Sequence, residues 1–236
     1  MREVKHLKPF FLSKYYKIEM FFSFLNKNKI LKTMATMSQQ TYTVPELLED
    51  LVPVLTNRVK AYHTLFSLPL IAEQWEETLH RSFNDLGINT SWTPNRSHAV
   101  GEDMRLQDIE NSRISCKSGQ FINDRSLGRC VKFNGSRSTS FPTLEEKLAH
   151  FCESHDDYYF LLAKERNFNK KYKLLVFESP ICRVDQLTWT ESASGKSWNG
   201  QGNFKACIGK SMSAQLWTTL PLEMIPYKFD IDCSEE

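Results

Sequence analysis

The sequence predicts an α/β protein in which a mixed central β-sheet is flanked by helices and is followed by a C-terminal region rich in strands and loops. Apolar residues recur at helical spacing in 43–66 and 68–87, and short strand-like segments follow them. A chain of 236 residues with 41% hydrophobic content can bury a sizeable core in one domain. Apolar runs long enough to span a membrane are missing from the sequence. A cytoplasmic location is expected from the pattern of cysteines.

The first 33 residues differ in composition from the rest of the chain. They hold eight of the 30 Lys and Arg residues but only two of the 28 Asp and Glu residues. The segment could be an organelle transit peptide or a basic arm that binds DNA. The preferred interpretation is a non-core extension, 1–36, that precedes a true start at Met34 or Met37. A single domain is then expected over 41–236.

Six cysteines are scattered at positions 116, 130, 152, 182, 207 and 233. Neither CxxC pairs nor a His/Cys zinc spacing occur among them. They are expected to be reduced, mostly buried thiols of a cytosolic protein.

Two amphipathic helices open the domain. The first is expected to start at a Thr cap with Pro45 in its first turn, and Pro53 is expected to kink it or end it. The second is expected to stop at Gly87. Its apolar face comprises Leu68, Ala72, Trp75, Leu79, Phe83 and Leu86.

Glu76 falls within about 20–40° of Ala72 and Phe83 at helical spacing, which places it at the rim of that apolar face. It is either a solvated rim carboxylate or an acid that reaches an interior polar site.

A short hairpin follows a polar loop. "EDMRLQDI" and "ISCK" read as antiparallel strands joined by the turn "ENSR". Side chains two apart on a strand share a face, so Ser115 and Lys117 point the same way. The hairpin register places Asp103 beside Lys117, whereas Asp108 is too close to the turn to be a good partner.

An acid, a short hairpin and then acid-x-Lys is a pattern similar to the PD-(D/E)xK nuclease superfamily, which includes type II restriction endonucleases. In this resemblance Asp103 is the first acid, Ser115 stands where the second acid is usual, and Lys117 is the lysine. Ser115 departs from the pattern because a hydroxyl is a weaker metal ligand, and Glu76 or Glu102 could supply the missing charge.

The resemblance implies a restriction-endonuclease-like core of helix, three strands, helix and strand over about 66–180, with another acid, Glu76, on the first helix. The order of the later segments agrees with this core. "RCVKF" reads as the third strand, and "TLEEKLAHFCES" reads as a helix with a Thr143–Glu146 capping box. "DYYFLLAKE" and "KLLVFES" read as further strands.

The resemblance also implies a catalytic group of Asp103, Lys117, Ser115 and Glu76, with Mg²⁺ held by Asp103 and Glu76. Carboxylates suit Mg²⁺, which activates a bound water and bridges the scissile phosphate. A lysine beside the phosphate orients the water and stabilises the developing charge. Otherwise, Lys117 is an exposed strand lysine in a weak ion pair.

Two later regions suggest contacts with DNA. "NGSRSTSF" is similar to a Gly-Ser-Arg stretch in some restriction endonucleases and is expected to form a phosphate-binding loop, or else a plain solvated loop. Region 185–220 mixes Asn, Gln, Ser and Lys with aromatic residues and is expected to recognise bases, or else to be a β-rich lobe with polar loops. The expected DNA-binding residues are Ser136, Arg137, Ser138, Asn203, Lys205, Lys210, Ser211, Ser213 and Gln215.

The sequence therefore predicts a Mg²⁺-dependent, sequence-specific endonuclease of double-stranded DNA in a restriction-modification system. A homodimer and a cognate DNA methyltransferase as genetic partner are expected from the resemblance. A repair or mobile-element nuclease on the same core is an alternative, and so is a DNA-binding module without catalysis.

Overall fold

The computed structural model describes residues 42–92, 103–107, 109–153, 156–165, 170–210 and 214–233. The predicted extension 1–36 lies outside the described residues, as do Glu102, Asp108, Ser211 and Ser213.

The first helix is preceded by a 3₁₀ turn, Pro45–Leu47, and α1 then runs over Leu48–Leu65. Thr43 stabilises the entry through its backbone N–H and its hydroxyl, which donate to Glu46 Oε2 at 2.7 and 2.9 Å. The expectation that Pro53 could end the helix is wrong, since α1 continues through it to Leu65. A proline inside a helix removes one backbone hydrogen bond, and burial of the apolar face offsets this loss.

The second helix, α2, spans Ala72–Asp85, so it begins four residues later than the sequence suggested. Pro69 disfavours helical backbone at Leu68, the residue before it, which agrees with the later start. Leu68 and Ala72 are exposed rather than buried. Trp75, Leu79 and Phe83 are buried as predicted. The stop at Gly87 is confirmed by its φ of 77°, which glycine adopts without strain.

Eleven strands and one more helix follow. The predicted capping box at the start of this third helix is confirmed, since Thr143 Oγ1 accepts from Glu146 N at 3.2 Å and Thr143 N donates to Glu146 Oε2 at 3.0 Å. The elements are β1 (Thr90–Ser91), β2 (Met104–Leu106), β3 (Arg113–Asp124), β4 (Gly128–Arg137), α3 (Leu144–Cys152), β5 (Tyr158–Lys164), β6 (Lys171–Glu178), β7 (Thr188–Glu191), β8 (Ser197–Gln201), β9 (Lys205–Gly209), β10 (Gln215–Pro221) and β11 (Tyr227–Asp232).

All eleven strands belong to one mixed sheet, which confirms the α/β class. The main path runs β11-β6-β5-β3-β4-β10-β9-β8-β7, with β2 paired to the start of β3 and β1 paired to β2. Strands β3 and β5 are parallel, and α3 lies in the connection between them. The other described strand pairs are antiparallel.

The two faces of this sheet carry separate cores. On the first face, α1 and α2 pack over side chains that include Ile114, Cys116 and Phe160. On the second face, α3 packs against a cluster that includes Phe121 and Leu161. Alternation along β3 therefore assigns Cys116 to the first face and Lys117 to the second.

The cysteines fit the predicted reduced state, since all six are free; three are buried and three are half-buried. Among the described helices, none is both long and apolar enough to cross a membrane.

Candidate active site

The candidate site lies at an interruption along one edge of β3. Strand β2 pairs with β3 only at Arg113 and Ile114, and β4 pairs with it only from Gly119 onward. Between these pairings, residues 115–118 have no ladder partner among the described strands on that edge. On the other edge, β5 supports β3 without a break from Ile114 to Gln120. We call this interruption, residues 115–118, the β3 gap.

The β3 gap is therefore a missing neighbouring strand and not the end of β3. Strand β3 continues to Asp124. Its backbone stays extended and well supported, which holds the side chains of the β3 gap in fixed directions.

Asp103 reaches into the β3 gap from the residue before β2. A hydrogen bond of 3.1 Å from Asp103 N to Ile114 O fixes its backbone. Its Oδ2 accepts from Cys116 N at 2.8 Å, from Lys117 Nζ at 2.9 Å and from Ser115 Oγ at 3.2 Å. The hairpin register thus brings Asp103 and Lys117 together as predicted. No described residue donates to Oδ1, which leaves that oxygen for another ligand.

Ser115 is 2% exposed, and its hydroxyl donates to Asp103. In this position it orients the carboxylate and does not face solvent. Ser118, one residue beyond Lys117, has a buried Oγ without a hydrogen-bond partner in the described part of the chain. A buried hydroxyl without a hydrogen-bond partner carries a desolvation cost. This cost indicates that the residues of the β3 gap do not serve packing alone.

Lys117 remains a cation here. Burial disfavours its ammonium group, but the charge and hydrogen bond of Asp103, with the charge of Asp156, outweigh burial and raise the pKa of Lys117. A lysine in this state can stabilise negative charge but cannot act as a general base near neutral pH.

Cys116 is unsuited to nucleophilic chemistry. Burial and the nearby charges of Asp103, Glu76 and Asp156 raise its pKa well above the ordinary value. The thiol therefore stays protonated, and it packs with the first-face core.

Asp156 is the acid that the sequence interpretation missed. It precedes β5, the parallel neighbour of β3, and is 6% exposed. Its neighbour Asp157 ties the two strand starts together through a bidentate pair with Arg113, at 2.8 and 3.0 Å. The "DD" at 156–157, directly before a strand, is the signal that could have identified it.

Glu76 is half-buried on α2. Its charge acts on Cys116, so it lies within electrostatic range of β3. Among the described residues, groups of three or more His, Cys, Asp or Glu that could enclose a metal ion are absent. Mg²⁺ is usually held by one or two carboxylates together with waters and substrate phosphates. The open Oδ1 of Asp103 fits that mode of binding.

The predicted DNA-binding residues fall into different environments. Residues 134–137 form the end of β4 and not a loop, and Ser136 and Arg137 are exposed there. Ser138 is 1% exposed and donates to Ala214 O at 2.8 Å, so its hydroxyl lies beneath the surface. This placement corrects the expectation of a surface phosphate-binding loop that includes Ser138.

The C-terminal set is also divided. Lys205 is on β9, and its Nζ binds both oxygens of Asp124 at 2.8 Å. Lys210 binds Glu191, and its Nζ lies 4.3 Å from the ring centroid of Trp198. Asn203 is exposed, and Gln215 is half-buried at the start of β10.

In comparisons with known proteins, no family model, no curated protein and no solved structure matches this chain.

Proposed function

We propose that this protein is a Mg²⁺-dependent, sequence-specific endonuclease that hydrolyses phosphodiester bonds of double-stranded DNA, of type II restriction character. The observation that carries the proposal is the contact of Asp103 Oδ2 with Lys117 Nζ at 2.9 Å in the β3 gap. A carboxylate and a lysine, each about four-fifths buried, meet where one edge of β3 has no neighbouring strand among the described residues. The elements around this pair run two helices, four strands, a helix and a further strand, and this order includes the helix, three strands, helix and strand that the nuclease resemblance implies.

The residues of the β3 gap have distinct roles in this proposal. Lys117 presents its ammonium group to the scissile phosphate, orients the attacking water and stabilises the charge that develops on the phosphate oxygens. Ser115 and the Cys116 N–H hold Asp103 Oδ2, which directs Oδ1 away from the strand. Asp103 and Glu76 are the proposed Mg²⁺ ligands, and Asp156 adds negative charge nearby. A bound Mg²⁺ would lower the pKa of a coordinated water and neutralise charge on the phosphate.

The buried position of Ser115 favours a second candidate, a DNA-binding module without catalysis. With a hydroxyl in place of the usual acid, the β3 gap has one negative charge fewer to hold a metal ion. A repair or mobile-element nuclease on the same core is a further alternative. Homodimerisation, a partner methyltransferase and a cytoplasmic location belong to the restriction proposal.

The test is incubation of the purified protein with unmethylated phage DNA and Mg²⁺. Discrete fragments are expected from the parent, and none from Lys117→Ala. A matched control is Lys60→Ala, which removes an exposed lysine from α1. Nicks at lesions or mismatches would favour repair, and a gel shift without cleavage would favour the binding module. Cleavage by Lys117→Ala at the parent rate would contradict the proposed role of the β3 gap.

A further inference from the structure

One face of the C-terminal half of the sheet is left uncovered by helices in the described part of the chain. On β10, Leu216, Thr218 and Leu220 are buried, while Gln215, Trp217 and Thr219 point the other way. Strands β4 and β9 alternate in step with β10. We call the outward-pointing side chains of β4, β10 and β9 the open sheet face.

Register places these outward side chains in three cross-strand rows. The first row is Lys132, Thr219 and Lys205, and the second is Asn134, Trp217 and Cys207. A bulge between Gln215 and Trp217 shifts β4 by one residue, so that Arg137 pairs with Gln215 in the third row. Three of the residues that the sequence singled out for DNA therefore lie on one face, although they are far apart in the chain.

Trp217 is the unexpected member of this face. It is 41% exposed, and in the described part of the chain the other large exposed apolar side chains all lie between Leu65 and Ile71. Lys132 Nζ lies 5.4 Å from the centroid of its ring. An exposed indole in the middle of a polar sheet face is typical of a contact surface, because tryptophan dominates binding energy where it is covered.

The three rows of the open sheet face hold the basic residues Lys132, Lys205 and Arg137 and no acidic residue. Lys205 is neutralised by Asp124, whereas Lys132 and Arg137 form no ion pair with any described residue. The cations and the uncharged donors between them suit an anionic partner that also offers hydrogen-bonding edges.

The spacing of the two free cations suits duplex DNA. They lie in the first and third rows, four residues apart on β10, which corresponds to about 13 Å at about 3.3 Å per residue. The major groove is about 12 Å wide, and phosphates line both of its edges. Arg137 and Lys132 would each meet one edge, while the row between them would face the bases.

We infer that the open sheet face binds the major groove of double-stranded DNA, with Trp217 and Asn134 against the base edges and Lys132 and Arg137 on the flanking phosphates. This inference rests on the proposed function and adds to it the surface that reads the substrate. Lys117 belongs to the other face of the sheet, so the open sheet face and the β3 gap would contact different parts of a bound duplex.

The test measures binding of a labelled mixed-sequence duplex without Mg²⁺, over a range of salt concentrations. Trp217→Ala is expected to weaken binding by about 10-fold or more, as for other aromatic anchors, and Trp217→Phe much less. Lys132→Gln is expected to reduce the slope of log K against log salt by about 1. Matched controls are Leu68→Ala, a truncation of another exposed apolar side chain, and Lys60→Gln, at an exposed lysine on α1. Both controls should bind like the parent.

The outcomes separate the inference from the proposed function. If the parent binds and cuts DNA while Trp217→Ala and Lys132→Gln bind like the parent, the inference is wrong and the nuclease proposal stands. If the parent binds no DNA, both are wrong. If the variants lose affinity only for single-stranded DNA and bind duplex DNA like the parent, the inferred contact with the major groove is wrong. Thermal unfolding of each variant shows whether a loss of affinity reflects misfolding, and Lys132→Gln removes only an exposed side chain.

Discussion

Asp103→Asn is the sharpest single perturbation of the β3 gap. It keeps the shape of the side chain and removes the negative charge that faces Lys117. The backbone N–H of Cys116 and the hydroxyl of Ser115 can still donate to the amide oxygen. The substitution therefore isolates the contribution of charge at Asp103 from that of its hydrogen-bonding geometry.

The structure sets the expected size of the effect on stability. Two unit charges separated by 2.9 Å attract by about 1.4 kcal/mol in water and by about 6 kcal/mol at an effective dielectric constant of 20. The side chains of Lys117 and Asp103 are 18% and 19% exposed, so the real environment lies between these limits. After the cost of desolvation, the net coupling is expected to be about 2 kcal/mol, as for other charge-assisted hydrogen bonds. In a domain of this size that loss lowers Tm by about 4–8 °C.

The assay combines a stability cycle with cleavage kinetics. Denaturant unfolding of the parent, Asp103→Asn, Lys117→Met and the double variant yields the coupling free energy. Cleavage of unmethylated phage DNA is then measured against Mg²⁺ concentration. Asp103→Asn is expected to lower the maximal rate by about 1,000-fold, or about 4 kcal/mol in the barrier, because it removes a proposed metal ligand.

Two results would refute this reasoning separately. If the losses of stability in the two single variants add up to that of the double variant, Asp103 and Lys117 are not coupled and the ion pair is absent in solution. If Asp103→Asn cuts DNA at the parent rate, the carboxylate has no role in catalysis, whatever it contributes to stability.

Three further predictions concern the same sheet and its first-face helices. Gly119→Ala should destabilise the fold by about 1–3 kcal/mol in denaturant unfolding, because the new Cβ would lie 2.9 Å from Val131 Cγ2; an unchanged midpoint would contradict the tight β3–β4 contact. Burial lowers the pKa of His63 and of His80, so the unfolded chain takes up protons at a higher pH than the folded protein does. The free energy of unfolding should therefore fall as pH drops below about 6.5. His63→Gln should make Tm less sensitive to pH, and an unaltered pH profile would count against this. Ser115→Ala should lower the cleavage rate far less than Asp103→Asn while raising the Mg²⁺ concentration needed for half-maximal rate, and a loss as large as that of Asp103→Asn would make Ser115 a direct participant.

Local features of the fold could be predicted from the sequence because short-range rules govern them. The Thr143–Glu146 capping box, the glycine stop at Gly87 and the pairing of Asp103 with Lys117 all depend on fewer than 15 intervening residues. In each case the residues that decide the structure are close together in the sequence.

Long-range register could not be predicted in the same way. The pairing of β10 with β4, and the bulge that places Arg137 beside Gln215, depend on strands far apart in the chain. For the same reason the ion pair of Lys205 with Asp124 and the exposure of Trp217 carry no local signal. Asp156 was overlooked because only the parallel pairing of β5 with β3 brings it near Lys117.

The pairing of β4 with β10 has a consequence for synthesis of the protein. About 78 residues separate the end of β4 from the start of β10. At a synthesis rate of about 5–20 residues per second, β10 is made roughly 4 to 16 s after β4. During that time the edge of β4 that pairs with β10 has no partner strand. The hairpin that carries Lys117 is complete long before the strand that carries Trp217 exists. A nascent chain therefore has the candidate catalytic residues before it has the surface inferred to recognise DNA.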